Sequence, residues 1–395
     1  MIKVSSWPWL LLLHALLLQL ATFIVRPAAA YHALELGVEP AFLGLIAASF
    51  ALVPLFIALL IGKASDTGHE TTVFIVGAIL MVVGSVGILF YSSSLGLLLI
   101  WNLIIGLGHL MSVIGQQSRV AENHASKLDS AFGLYTFAGS LGQAAGPALI
   151  IVFGRGRIFP DTSALFTASA VACILMLVVT IFLIRTKSES VTKNSALPQK
   201  SLKNILRDST SESRRQVFVA MLVSMVVIGS VDLTTVYLPA LGTERGISAA
   251  AVGMLLSARA VASMASRFYL GKLVARVGRF ELVVLSTAIS ALAIGALAVP
   301  MSLWMMTAVL LISGFALGIG QPITMTMISL AVPPNTRGTW LALRLSANRL
   351  GQMGIPAAVG LVAVSAGVAG VFGVAAIAMA TTSAVSYILL PKHRK

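Results

Sequence analysis

The sequence predicts an all-α membrane protein, with twelve transmembrane helices in two six-helix bundles related by a pseudo-two-fold axis. Three observations carry that prediction. Of 395 residues, 58% are hydrophobic and only 10% charged, and the mean hydropathy is +0.97. A soluble domain carries about 25% charged residues, so most of this surface must face lipid. The chain also divides into apolar runs of the length that crosses a bilayer, about 20 residues at 1.5 Å each. Finally, it repeats itself at an offset of 209 residues. Gly62-Lys63 returns as Gly271-Lys272, Gly37 as Gly246, and Leu141-Gly142-Gln143 with Pro147 as Leu350-Gly351-Gln352 with Pro356. A constant shift at separate places marks two copies of one unit.

The runs cover 7–30, 40–61, 71–91, 94–117, 131–154, 163–185, 216–240, 248–270, 281–299, 302–328, 339–363 and 367–390. The first, with Lys3, a leucine-rich core and Ala28-Ala29-Ala30, has the look of a cleavable signal peptide. It is longer than a signal core, and its loss would break the repeat, so it is read as a span. The domains are then 1–185, a basic linker 186–215, and 216–395. Within the linker, Leu202, Ile205 and Leu206 fall on one face of a short surface helix over 201–207. A solvated tether is the alternative.

The 27 Lys and Arg against 13 acids give a net charge of +14. Most of that charge lies in loops on one side. Arg26, Arg155, Arg157, Arg245 and Arg259 are the exceptions. This is the positive-inside pattern, and it places both termini, including Lys392-His393-Arg394-Lys395, in the cytoplasm. The inner membrane of a bacterium is the expected location. No basic, aromatic-studded face suggests nucleic acid. Cys173 is the sole cysteine, so no intrachain disulfide and no cysteine metal site can form. No phosphate-binding loop or metal-ligand cluster suggests an enzyme. No cofactor is expected, and uphill transport would draw on a proton gradient. The expected partners are the bilayer and a small solute, and the chain is expected to be monomeric.

Two polar loops carry the first motif. Gly62, Asp66 and Gly68 follow span 2, and Gly271, Arg276, Gly278 and Arg279 follow span 8. Together with twelve spans and a basic mid-chain linker, these resemble the major facilitator superfamily, whose loop signature is Gly-x-x-x-Asp-Arg-x-Gly-Arg-Arg. The resemblance covers the whole chain. The first copy lacks the arginine and is one residue short; the second has Ala275 at the aspartate position. The resemblance implies alternating access, with Asp66 as a cytoplasmic latch between the halves; an ordinary solvated carboxylate is the other reading. Glycines there would allow a tight turn and close helix approach. Span 5 holds Gly142-x-x-x-Gly146-Pro147, an element similar to that of the superfamily's drug/proton antiporters. Helix packing accounts for it equally well. Where those antiporters carry an arginine in span 4, this chain has Asn102, four residues before Gly106.

Charges inside a membrane cost roughly 2.5–3.5 kcal/mol each, so each is a candidate site. Of the acids, only Asp232 lies well inside a span. It is expected either to load and release a proton or to pair with Arg259 on the next span. His14 and His109 are alternative proton carriers or hydrogen-bonded packing residues. Arg259 and Arg349 lie deep, so the cavity between the bundles carries excess positive charge, which suits an anionic solute. Arg344 either joins them or snorkels to the surface. Arg26 either serves an outer gate or reaches the headgroups. Arg344, Asn348 and Gln352 share a helix face, as do Tyr135, Gly139 and Gln143. Gln321 and Asn102 complete the polar cavity candidates. Trp101, Phe132 and Tyr31 would pack an aromatic ligand, the core or an interface belt. Two transport readings result: proton-coupled efflux by antiport, and proton-coupled uptake of a small organic anion by symport. A receptor or scaffold is disfavoured, because the loops are too short to hold a binding domain.

Overall fold

A computed structural model describes residues 7–123, 128–185, 210–332 and 337–390. Among the described residues, ten α-helices precede the last helical run: α1 (Trp7–Glu35), α2 (Leu43–Ala64), α3 (Glu70–Phe90), α4 (Leu95–Asn123), α5 (Leu128–Gly154), α6 (Thr162–Arg185), α7 (Ser211–Glu244), α8 (Ala249–Val277), α9 (Arg279–Ala296) and α10 (Leu303–Ala331). The run Arg337–Leu389 is broken at Gly367, with φ 64° and ψ −177°. It therefore supplies α11 (337–366) and α12 (368–389). The proposed surface helix and the basic C-terminal residues lie outside the described residues.

Eleven stretches among the described residues are long and apolar enough to cross a membrane. Large apolar side chains stand outward: Phe56, Phe90, Phe268, Leu292 and Trp304 are all more than two thirds exposed. On a soluble protein such a surface would aggregate; here it faces lipid. The helices start where short polar side chains satisfy free backbone N–H groups. Thr210 accepts from Ser213 N, Ser248 from Ala251 N and Ser302 from Met305 N. α1 sits inside the first bundle against α5 and α6, with Leu18, Ala21, Ile24 and Ala28 fully buried.

The 209-residue repeat is visible in the backbone. Gly37 ends α1 at φ 77°, and Gly246 ends α7 at φ 64°. The same two hydrogen bonds close each turn: Gly37 N to Leu34 O and Val38 N to Ala33 O, then Gly246 N to Thr243 O and Ile247 N to Gly242 O. A residue with a Cβ is strained at such φ, so glycine is required twice. The packing repeats as well. A Cβ on Gly142 would collide with the Leu16 carbonyl, and one on Gly351 with the Met225 carbonyl. Leu16 and Met225 are themselves 209 apart. α5 thus lies on α1 as α11 lies on α7.

The halves meet through a second pair of crossings. Gly44 on α2 abuts the Pro356 carbonyl on α11, and Gly253 on α8 abuts the Pro147 carbonyl on α5. These four positions again map onto one another at 209. Ala249 N adds a 2.7 Å hydrogen bond to Arg157 O beside the second crossing. Both crossings lie toward the end of the molecule where α1, α5, α7 and α11 finish, so that end is sealed.

The two signature loops differ from expectation. Gly62 is still inside α2, and residues Ser65–His69 form a single wide π-turn leading into α3. Gly271 is inside α8, and the turn comes only at Gly278, with φ 92°. Among the described residues, nothing lies within 4 Å of a Cβ built on Gly62 or Gly271. Neither therefore marks a close helix approach in this arrangement; the turn-forming glycines are Gly68 and Gly278. Arg276 is in the last turn of α8, where a cation faces the helix's negative end, and Arg279 opens α9. The Asp66 side chain lies outside the described residues, as does that of Phe132.

Candidate functional site: a polar cavity between the bundles

A cavity of about 190 Å³ lies between the bundles, lined by α1, α4, α5, α7, α8, α10 and α11 with Phe50 of α2. Its centre is an ion pair. Arg26 on α1 donates through Nη1 to Asp232 Oδ1 on α7 at 2.5 Å, and both residues are at least 95% buried. The guanidinium also stacks 4.8 Å from the Phe50 ring centre. This corrects two expectations. Arg26 does not reach the headgroups, because burial without a counter-charge would be costly and the carboxylate is at hand. Asp232 takes Arg26 as its partner, not Arg259.

Arg259 instead makes one long contact, Nη2 to Thr235 Oγ1 at 3.4 Å, and its Nε has no partner. The repeat explains the arrangement. Arg26 and Thr235 are equivalent positions, and so are Phe50 and Arg259. Each half brings the same two positions together, Arg26 on Phe50 in one and Arg259 on Thr235 in the other. The arginine has changed helices between copies. Asp232 balances only one of the two.

α11 contributes the rest of the charge. Arg349 donates to Gln352 Oε1 at 2.8 Å. Arg344 is 4% exposed and does not snorkel. It donates to Ser224 Oγ and Gln321 Oε1, each at 2.9 Å, while Asn348 bonds the same two side chains. This knot ties α7, α10 and α11 together behind the cavity wall. In the first half Gln143, the equivalent of Gln352, donates to Gln19 Oε1 at 3.3 Å. Tyr135, the equivalent of Arg344, donates to Gln116 Oε1.

Of the residues singled out from the sequence, Arg26, His109, Gln143, Asp232, Arg259 and Gln321 line the cavity, with Asn348, Arg349 and Gln352. Two do not. Asn102 is buried between α4 and α2, donating to Ile46 O and Ser49 Oγ. His14 is fully buried between Thr180 and Gln116. Both are in internal ties. Tyr31 packs edge-on against Phe159 in the core, and Trp101 donates to Tyr91 O. Gly142, Gly146 and Pro147 serve the α1–α5 and α5–α8 contacts, and Pro356 the α2–α11 contact.

Sequence reasoning missed Gln19, Thr22 and Arg267, all of which line the cavity. Gln19 lies seven residues before Arg26, on the same face of α1. Arg259, Ser263 and Arg267 step by four along α8, a spacing that could have found the second arginine. Arg267 donates to Ser140 Oγ across the two halves at 2.8 Å. Ser140 is the repeat equivalent of Arg349.

A family model described as Major Facilitator Superfamily matches residues 11–239 and 218–395. The chain therefore belongs to the Major Facilitator Superfamily: it is a multi-pass integral membrane protein and a secondary transporter. No curated protein sequence matches it. Solved structures share the fold at low identity. The nucleoside transporter NupG superposes with a TM-score of 0.74 at 12% identity, over 98% of this chain and 99% of that one. A D-xylose-proton symporter gives 0.79 at 15% identity, over 98% and 99%. A POT family transporter in complex with a thioalcohol-conjugated peptide gives 0.77 at 13% identity, over 96% and 95%.

Proposed function

We propose that this transporter carries a small organic anion together with a proton by alternating access at the central cavity. The Arg26–Asp232 pair carries the reading. Asp232 Oδ2 has no partner, so the carboxylate retains an open site for a proton. When Asp232 takes a proton, Arg26 loses its counter-charge inside the membrane. An incoming anion restores the balance. Proton and anion binding therefore favour each other, which is the thermodynamic requirement for symport. An antiporter needs the opposite, competition between proton and solute for the same charge.

This argument favours uptake by symport over the efflux reading. The element behind the efflux reading, Gly142-x-x-x-Gly146-Pro147, has a packing role matched at Gly351 and Pro356 in the second half. The cavity volume supports a small solute, since drug-sized ligands occupy roughly 300–1,000 Å³. Since the crossings hold the halves together where α1 and α5 finish, this reading places solute entry at the opposite end, which bears the basic loops and is cytoplasmic by the positive-inside pattern.

The test is transport into proteoliposomes under an imposed pH gradient, acid outside, with lumenal pH recorded. Carboxylates and phosphate esters are compared with neutral compounds of the same skeleton. Anion uptake with lumenal acidification is the expected result. Proton exit evoked by a cationic or neutral solute would establish antiport and overturn the proposal.

A further inference from the structure

The cavity is chemically two-sided. Four arginines line it, Arg26, Arg259, Arg267 and Arg349, against the single carboxylate of Asp232. Arg26 is matched by Asp232. The three left over all belong to the second half, on α8 and α11. Among the described residues, each hydrogen-bonds only a neutral acceptor: Thr235 at 3.4 Å, Ser140 at 2.8 Å and Gln352 at 2.8 Å. The Nε atoms of Arg259 and Arg267 are buried without partners. Arg259 and Arg349 both lie within Coulombic reach of Asp232 and of Arg26.

The facing wall offers neutral hydrogen-bonding groups instead. Gln19, Thr22, His109 and Gln143 project from α1, α4 and α5. His109 Nδ1 is buried and unpartnered, and the Gln19–Gln143 contact is long at 3.3 Å. These groups have hydrogen-bonding capacity to spare and no charge.

We infer that the solute carries two negative charges at one end, held by Arg259 and Arg349 with Arg267, and neutral hydroxyl or amide groups at the other, held by Gln19, Gln143 and His109. This deepens the anion reading and rests on it. Three unmatched guanidiniums in a low-dielectric site are costly. Each negative charge on the solute offsets one of them, so two charges leave one fewer unmatched than a single charge does, whether Asp232 is ionised or, as in the proposed symport, protonated. Guanidinium forks also suit the paired oxygens of carboxylate and phosphate. Malonate-type dicarboxylates, with both carboxylates on one carbon, and phosphate monoesters share the required chemistry.

The test uses the purified full chain and two graded series at pH 7.5. One arm is acetamidomalonate, its monomethyl ester and its dimethyl ester. The other is a polyol phosphate monoester, its methyl phosphodiester and the free polyol. Ligand-induced shifts of the melting temperature give relative affinities, because a ligand that binds the folded form alone stabilises it. The dianion of at least one series is expected to bind at least tenfold tighter than its monoanion, and the responding arm identifies which chemistry is used. In Arg349→Gln, whose side chain is only partly buried, that ratio is expected to fall toward one. Arg259→Gln should do the same. Equal binding of monoanion and dianion overturns the two-charge inference but leaves the anion reading standing. Equal binding of the uncharged member overturns both. No response to either dianion, or an unchanged ratio in Arg349→Gln, also overturns the inference.

Discussion

Arg26 and Asp232 are 206 residues apart, on the first helix of one bundle and the first helix of the other, and their buried side chains meet at 2.5 Å between the bundles. The contact joins the two halves, which the proposed alternating access would move against each other. It is a structural tie and a charge-balance device at once.

The first prediction concerns that balance. Asp232→Asn leaves the Arg26 guanidinium buried and unmatched, and breaking one side of a buried pair costs about 3–5 kcal/mol. The melting temperature of the purified protein should fall clearly. The double variant Arg26→Gln with Asp232→Asn should recover most of the loss, since both charges are then gone. In proteoliposomes Asp232→Asn should abolish accumulation driven by a pH gradient while preserving counterflow exchange. Normal accumulation by Asp232→Asn would remove the residue from the coupling step.

A second prediction follows from the seal. A Cβ on Gly253 would stand 2.8 Å from the Pro147 carbonyl, closer than real Cβ contacts come. Gly253→Val should therefore wedge the bundles apart at the sealed end, and Gly44→Val should do so at the symmetric crossing. In a Cys173→Ser background with Gln143→Cys, a water-soluble thiol reagent added from that end should label the cavity about tenfold faster in either variant. The fold-change is of the order that a 1.4 kcal/mol bias on a two-state equilibrium gives. Unchanged labelling would show that the crossings do not hold the cavity shut.

The glycines of the loop signature should behave in the opposite way. Gly62 and Gly271 are helical and have open space around the missing Cβ. Gly62→Ala and Gly271→Ala should hold or raise the melting temperature, since alanine favours a helix interior by roughly 0.5–1 kcal/mol. Gly142→Ala, which meets the Leu16 carbonyl, should lower it. A loss of stability in Gly271→Ala would mean that another helix does come close there.

Composition and the repeat made most of the fold legible. The apolar runs located the helices because lipid demands continuous length, and the error lay at their ends. α7 begins at Ser211, five residues before its apolar run, because Thr210 caps it in a polar segment that hydropathy ignores. The offset of 209 correctly paired Gly142 with Gly351 and Pro147 with Pro356, since close backbone packing tolerates few residue types. Charge partners were less legible. Adjacency in sequence suggested Asp232 with Arg259, whereas the partner came from α1, because the repeat places Arg26 and Thr235 at equivalent sites on helices that face each other. Asn102 was misplaced for a related reason: a polar residue in a span announces burial, but its direction depends on the neighbouring helix, here α2.

Asn102 gives the last prediction. Its Nδ2 donates to Ile46 O at 2.5 Å and to Ser49 Oγ at 2.9 Å, holding α4 against α2 within one bundle. Gly106, one turn further along, meets the Phe50 carbonyl on the same helix pair. The side chain is 99% buried and does not line the cavity. Asn102→Leu should therefore act on stability alone. Losing two buried hydrogen bonds and leaving Ser49 short of a donor costs about 1–3 kcal/mol, seen as a lower melting temperature. KM for transport should stay within about twofold, because uniform solute binding is untouched. A raised KM with an unchanged melting temperature would put the amide in contact with solute, and the wall of the cavity would then extend past Phe50 into the α2–α4 crossing.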